Sequence, residues 1–116
     1  MTSLYRSNSA FVLSPERLET VLAEITRRLQ GRVREAYIFG SAATGTASAD
    51  SDIDLILVKD EPGRPFIQRP LEFIDLYEVY PNLDILVYTP RELDEQLLDS
   101  ALGFWKSVRF SMKRIV

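Results

Sequence analysis

Three short apolar runs constrain the fold of this chain more than any other feature. They cover 33–39 (VREAYIF), 53–58 (IDLILV) and 83–89 (LDILVYT), and each has the length and residue types of a β-strand. Helix-patterned segments lie before, between and after them. With 116 residues, the chain suits one domain with one core. The pattern therefore predicts a small α/β domain whose helices pack on one or both faces of a sheet.

Capping residues mark where two of the helices begin. Ser14 stands before a proline and a glutamate, and apolar residues then recur at helical spacing until Gly31. The sequence TPRE at 89–92 is a capping box with proline at the first helical position. It predicts a helix that runs to about Asp99.

Two other segments are predicted from apolar content alone. Residues 66–79 are rich in apolar side chains, but Pro70 interrupts a continuous helix, so we expect a loop followed by a helix over about 70–79. A last helix is predicted over 101–112, where apolar residues again recur on one face.

The whole of 14–116 is expected to form a single domain. No internal repeat, low-complexity tract or long linker divides the sequence. Residues 1–13 are expected to be a flexible N-terminal lead-in, because chain ends are ordered only where other parts of the fold hold them.

The composition excludes several classes of function. The chain has no cysteine and no histidine, which excludes disulfides, thiolate catalysis, cysteine zinc sites and Ser-His nucleophiles. A bound metal must be held by oxygen, which favours magnesium, manganese or calcium. The net charge of -3 argues against strong non-specific binding to nucleic acid. No signal peptide or bilayer-length apolar stretch is visible, so we expect a cytoplasmic protein without membrane contact.

Aspartates stand at the beginning of the second and third apolar runs. Asp52 and Asp54 are separated by one residue, so strand alternation places them on one face and Ile53 on the other. If the two runs are neighbouring strands, Asp84 can converge on the same patch. Two carboxylates about 4 Å apart repel by on the order of 4 kcal/mol at an effective dielectric of 20, which a divalent cation would neutralise. A lone D-x-D is usually a surface or turn feature, and the conjunction with a third acid raises its significance.

A glycine and a serine end the first apolar run. Gly40 would let a ligand approach the backbone closely. Ser41 offers a hydroxyl and an N–H at the predicted N-terminus of a short helix, SAAT, where phosphate can bind. The alternative is a tight strand-to-helix turn with serine as N-cap, and Gly-Ser taken alone favours that alternative.

Together these motifs resemble the DNA polymerase beta-like nucleotidyltransferase superfamily. Its pattern is an apolar strand, G-S, a short gap, D-x-D and a third acid on a later strand, which here reads "YIFGS…SDIDLILV…LDILVYT". The compact size and the ending "TPRELDEQLL…FWKSV" are similar to the minimal nucleotidyltransferase (MNT) type. The resemblance covers about residues 14–116. It implies a nucleotidyltransferase fold of the α/β (α+β) class, with a small mixed sheet of three to four strands.

The resemblance also implies catalytic roles. Gly40 and Ser41 would bind the terminal phosphates of a nucleoside triphosphate. Asp52, Asp54 and Asp84 would be the catalytic acids and the ligands of two Mg²⁺ ions, for which Mn²⁺ could substitute. Asp84 would also take the proton of the attacking hydroxyl. The reaction would transfer a nucleoside monophosphate, AMP from ATP, to a hydroxyl acceptor and release pyrophosphate.

One departure from the family concerns positive charge. Many relatives have arginine between G-S and D-x-D, whereas the segment AATGTASADS at 42–51 has no basic residue. We therefore expect the phosphate charge to be balanced by metals and backbone, together with Lys59 or Arg64.

The resemblance implies a protein partner as well. Minimal members commonly work with a helical HEPN-type protein, and some act as antitoxins by nucleotidylating it; a homodimer is a further expectation. The alternative hypothesis is a non-catalytic antitoxin or binding module that acts by contact alone, through exposed aromatics such as Tyr77, Tyr80 and Phe110. Glycosyltransferases that use sugar nucleotides also carry D-x-D, but the chain is too short for their usual architecture.

Overall fold

A computed structural model of the chain describes residues 14–46, 52–98 and 103–116. The described elements are α1 (Pro15–Leu29), β1 (Glu35–Phe39), α2 (Ser41–Thr44), β2 (Ile53–Val58), a 3₁₀ segment (Phe66–Glu78), β3 (Leu83–Tyr88), α3 (Pro90–Leu98), α4 (Gly103–Ser111) and β4 (Lys113–Arg114). The predicted lead-in at 1–13 and the predicted helix boundaries at Asp99 and 101 lie outside the described residues. No helix in the described ranges is both long enough and apolar enough to cross a bilayer.

The strands form a mixed sheet in the order β3-β2-β1-β4. Strand β2 is parallel to β3, whereas β1 is antiparallel to both β2 and β4. This arrangement confirms the predicted fold class. Strand β2 lies inside the sheet because every residue except Asp54 in its sequence IDLILV is apolar, and all of those residues are buried.

One face of the sheet is covered by α1 and the 3₁₀ segment. Ile53, Leu55 and Leu57 point to this face, as strand alternation requires. They meet apolar side chains from the two helical segments, all of which are buried: Val21, Ile25, Leu29, Phe73 and Leu76. This cluster is the larger part of the core among the described residues.

The other face is covered by α3 and α4. Ile56 and Val58 of β2 point to it and pack with Leu93 of α3 and Val108 of α4. Asp54 is on the same side of β2 as Ile56, so its carboxylate lies at the rim of this second, smaller cluster.

The predicted loop before Pro70 is wrong. A 3₁₀ segment begins at Phe66, continues through Pro70 and has its break at Phe73, where φ is -112 and ψ is 22. Proline fixes φ near -65°, which suits a 3₁₀ turn, and only the hydrogen bond of its missing N–H is lost. Strand β4 was not predicted, because a two-residue polar strand has no recognisable hydrophobic pattern.

One of the three aromatics predicted to be exposed is not. Tyr80 is 1% exposed and belongs to the larger core cluster, whereas Tyr77 and Phe110 are exposed as predicted. Phe73, Leu76 and Tyr80 recur at a helical spacing, so the same apolar stripe that buries the first two also buries the third.

Two arginines, one in the last turn of α1 and one just after it, bind the 3₁₀ segment. The Arg32 guanidinium donates to both carboxylate oxygens of Asp75, each at 3.0 Å, and Arg28 pairs with Glu78 at 3.0 Å. These contacts join α1 to the segment that covers the sheet beside it.

Replacing Leu55 by alanine tests the importance of the central strand. Leu55 is fully buried in β2, so we expect Leu55→Ala to lower the free energy of unfolding by about 2–5 kcal/mol. Ile67→Ala is the matched control, because Ile67 is 85% exposed and its change should stay within about 0.5 kcal/mol. Urea denaturation followed by circular dichroism measures both. Equal losses in the two variants would contradict this account of the core.

The Arg32–Asp75 contact predicts a dependence of stability on pH. Its hydrogen bonds lower the pKa of Asp75 below the ordinary value of 3.8. A lowered carboxylate pKa stabilises the fold above the unfolded-state pKa, and this contribution is lost as the pH falls through the folded-state value. Because the pair is partly solvent-screened, we expect Asp75→Asn to cost under about 1 kcal/mol at pH 7 and progressively less below about pH 4.

Asp60→Asn provides the comparison for that measurement. Its partner Arg34 is 58% exposed and Asp60 itself 63% exposed, so the loss should be smaller at every pH. A difference between wild type and Asp75→Asn that grows on acidification would have the wrong sign.

Candidate active site

The sheet register places two of the predicted acids side by side. Asp54 of β2 is paired with Asp84 of β3 on one side and with Phe39 of β1 on the other. Paired residues of neighbouring strands share a face, so these three side chains form a row on the face that α3 and α4 cover. Asp52 lies two residues before Asp54, at the same end of β2. The structure thus brings the three predicted aspartates to one end of the sheet.

The charges of these aspartates act on one another. Asp54 is half-buried, while Asp52 and Asp84 are exposed. Burial raises the pKa of Asp54, and the negative charges of Asp84 and then Asp52 raise it further. This end of the sheet is therefore electronegative, and a cation bound there would relieve the repulsion.

Gly40 is in direct contact with this acidic group. Its φ of 72 and ψ of -151 lie in a region that is essentially restricted to glycine. A Cβ at this position would lie 2.6 Å from Oδ2 of Asp54, which no side chain could tolerate without a shift. The backbone conformation therefore requires glycine at position 40, and a side chain there would also have to displace the carboxylate of Asp54. The Gly-Ser turn and the D-x-D motif are in contact.

Ser41 begins the short helix α2. The carbonyl of Gly40 accepts hydrogen bonds from the N–H groups of Ala43 and Thr44, both at 3.1 Å. Gly45 ends the helix in the left-handed conformation. The predicted SAAT helix is confirmed, and it places Ser41 directly after the residue that contacts Asp54.

The prediction that Lys59 helps to balance phosphate charge is wrong. Lys59 follows the opposite end of β2 and forms an ion pair with Glu72 of the 3₁₀ segment. It is five positions from Asp54, about 16 Å along an extended strand. Lysine cannot reach the acidic end of the sheet from there.

The contact that sequence reasoning missed comes from α4. Oγ of Ser111 accepts a hydrogen bond from the N–H of Gly40 at 2.9 Å. No pattern indicates this pair, because the two residues are 71 positions apart and serine is common on exposed helix faces.

The carboxylates at this end of the sheet provide some of the oxygen ligands that a hard divalent cation needs. Across residues 14–46, 52–98 and 103–116, no group of three or more carboxylates is arranged as a ready-made metal site. Mg²⁺ usually takes one or two carboxylates and completes its octahedron with waters and substrate phosphates, so a full protein cage is not required. Electrostatic repulsion acts over longer distances than metal–oxygen bonds. The negative charges of these acids can therefore repel one another even though the carboxylates do not surround a single point. Asp54 with Asp84 or Asp52 provides the oxygens that such a cation needs.

Comparison with known families decides the superfamily. A family model described as a nucleotidyltransferase domain matches residues 19–113, which is most of the chain and includes all five predicted site residues. The chain belongs to the nucleotidyltransferase domain family. The membership confirms the resemblance that the G-S and D-x-D motifs indicated.

One solved structure is similar to this nucleotidyltransferase domain in fold. It is a 1.40 Å crystal structure of a protein from Sulfolobus solfataricus that is assigned provisionally as a nucleotidyltransferase. The two sequences are 24% identical, the match covers 78% of each chain, and the TM-score is 0.49. No curated protein matches the sequence significantly.

Alanine substitutions at two glycines separate the two constraints on Gly40. Gly40→Ala adds both backbone strain and the clash with Asp54. Gly45→Ala adds strain alone, because no atom of the residues that the structure describes lies within 4 Å of its Cβ position. We expect Gly45→Ala to cost about 1–2 kcal/mol of unfolding free energy and Gly40→Ala measurably more. Chemical denaturation measures both. An equal cost would show that the carboxylate of Asp54 yields to the added methyl group without a measurable penalty.

Proposed function

We propose that this nucleotidyltransferase domain transfers AMP from ATP to a hydroxyl group in a reaction that depends on Mg²⁺. The observation that supports the proposal is the contact of Gly40 with Asp54, in a row with Asp84 and beside Asp52. A nucleotide site needs a backbone that phosphates can approach and carboxylates that hold the metal, and both lie within one short stretch of surface here.

Each residue has a distinct role in this proposal. Gly40 would let the β- and γ-phosphates approach the backbone closely, and Ser41 would bind them through its N–H and hydroxyl. Asp52 and Asp54 would hold the metal, and Asp84 would accept the proton of the acceptor hydroxyl. The hydroxyl oxygen forms a bond to the α-phosphorus while the bond between that phosphorus and the bridging oxygen breaks. Pyrophosphate leaves with that bridging oxygen. Bound Mg²⁺ supplies Lewis-acid stabilisation of the attacking and leaving oxygens.

The proposed acceptor is a hydroxyl of a helical protein partner of the HEPN type. Support for a protein acceptor comes from exposed aromatics on α4, which borders the site. Phe104 is 55% exposed and packs edge-to-face on Phe39, with ring centroids 5.8 Å apart, and Phe110 is 84% exposed. Phe39 is buried and pairs with Asp54, so the exposed ring of Phe104 that packs on it is one residue away from the acids.

The same aromatics also favour a second candidate function. A partner could be bound and masked through Phe104 and Phe110 without any transfer of nucleotide. In that case the carboxylates would be dispensable for the effect on the partner, and their removal separates the two functions.

Replacing Asp54 by asparagine tests the catalytic proposal. Asparagine keeps the shape of the side chain but removes the charge, so we expect nucleotidyl transfer to fall at least about 100-fold. The measurement uses α-³²P-labelled ATP, Mg²⁺ and the purified HEPN-type partner, and counts label on the partner. Chelation of the metal by EDTA should also abolish labelling.

Glu61→Gln is the matched control for this experiment. Glu61 is an exposed acid beyond the opposite end of β2, so its charge should not affect transfer. Undiminished labelling by Asp54→Asn would overturn the catalytic proposal. Loss of labelling with full inhibition of the partner would show that contact alone accounts for the effect on the partner.

A further inference from the structure

The hydroxyl of Ser111 makes two hydrogen bonds that fix its orientation. It donates to the backbone carbonyl of Ser107 at 3.0 Å and accepts from the N–H of Gly40 at 2.9 Å. Because its proton is directed along α4, a lone pair is left to receive the Gly40 amide. The hydroxyl therefore links the last turn of α4 to the turn that follows β1.

A second contact of α4 holds the preceding residue. The ring of Phe104 packs edge-to-face on Phe39, which is the last residue of β1. Phe104 and Ser111 lie at opposite ends of α4, and they hold Phe39 and Gly40 in turn. The helix thus contacts two successive residues of the polypeptide that leads into Ser41.

The contacts of α4 with Phe39 and Gly40 are important because the backbone conformation at Gly40 is unusual. Glycine has more alternative backbone conformations open to it than any other residue, so nothing in Gly40 itself keeps φ at 72 and ψ at -151. A sparsely populated conformation persists only when its surroundings determine it. If the Gly40 peptide rotated, the backbone beside Asp54 and the first turn of α2 would move with it.

We propose that Ser111 is a positioning residue of the nucleotide site, which fixes the Gly40 peptide so that the Gly-Ser turn can receive a magnesium-bound nucleoside triphosphate. The identity of the ligand rests on the proposed function. Ser111 acts through Gly40 and does not itself touch the phosphates.

The contribution of Ser111 to the site is separable from its contribution to the helix. The backbone ladder continues without its hydroxyl, since the N–H of Met112 donates to the carbonyl of Val108 at 2.8 Å. Alanine also has a higher helix propensity than serine. Removal of the hydroxyl should therefore leave α4 formed while releasing the Gly40 amide.

Three variants test the proposal. Ser111→Ala removes the acceptor, Ser111→Thr restores a hydroxyl, and Ser107→Ala makes the same deletion one turn earlier while leaving the Ser107 carbonyl in place. Calorimetry with Mg²⁺ and the non-hydrolysable analogue α,β-methylene-ATP gives the dissociation constant. Amide hydrogen exchange by NMR reports on the Gly40 N–H directly.

We expect Ser111→Ala to weaken binding of the analogue about tenfold and to speed exchange of the Gly40 amide by at least a similar factor. Ser111→Thr should recover most of both, and Ser107→Ala should match the wild type. A merely structural role would lower the melting temperature of Ser111→Ala without changing its affinity well below that temperature.

Failure of the positioning role of Ser111 and failure of the proposed function give different results. If the wild type binds the analogue and Ser111→Ala binds it equally well, the positioning role is wrong and the proposed function stands. If the wild type binds no magnesium-bound analogue, the proposed function is wrong. The proposal that Ser111 positions a nucleotide site is then wrong as well.

Discussion

The central constraint on the structure is that β2 is its most buried strand and also contains a carboxylate, that of Asp54. Its apolar residues are enclosed between α1 with the 3₁₀ segment on one face and α3 with α4 on the other. Asp54 escapes full burial because it lies near the end of the strand, at the rim of the smaller core cluster. Even there, burial raises its pKa. The charge of Asp54 is tolerated at this rim because solvent is near. It can bind a cation there because water solvates the carboxylate only in part.

Most of the architecture follows from local sequence patterns. Strand alternation, the Ser14 cap and the capping box at 89–92 predict elements that the structure confirms, since each depends on neighbours within a few residues. The 3₁₀ character of 66–78 was missed because proline disfavours an α-helix without excluding a tighter turn. The burial of Tyr80 follows from its helical spacing with Phe73 and Leu76, a pattern that extends one residue beyond the segment predicted to be helical.

The candidate site also has parts that local sequence patterns predict and parts that they do not. Alternation puts Asp52 and Asp54 on one face, but the adjacency of Asp84 requires the parallel register of β2 and β3, which no short-range pattern specifies. The fixing of Gly40 by Ser111 joins residues that are 71 positions apart in the chain. Lys59 was assigned to the phosphates because it is near in sequence, whereas strand geometry carries it to the other end of the sheet.

The close approach of Gly40 to Asp54 also makes the two positions a single unit for sequence change. A side chain at position 40 collides with the carboxylate only while that carboxylate is present. A shorter residue at position 54 would therefore hide part of the harm of a substitution at position 40, and the two effects would not add. Drift at this end of the sheet would be expected to relax both residues together once the acid is lost, so a glycine retained beside a missing aspartate would indicate that backbone geometry is still under selection.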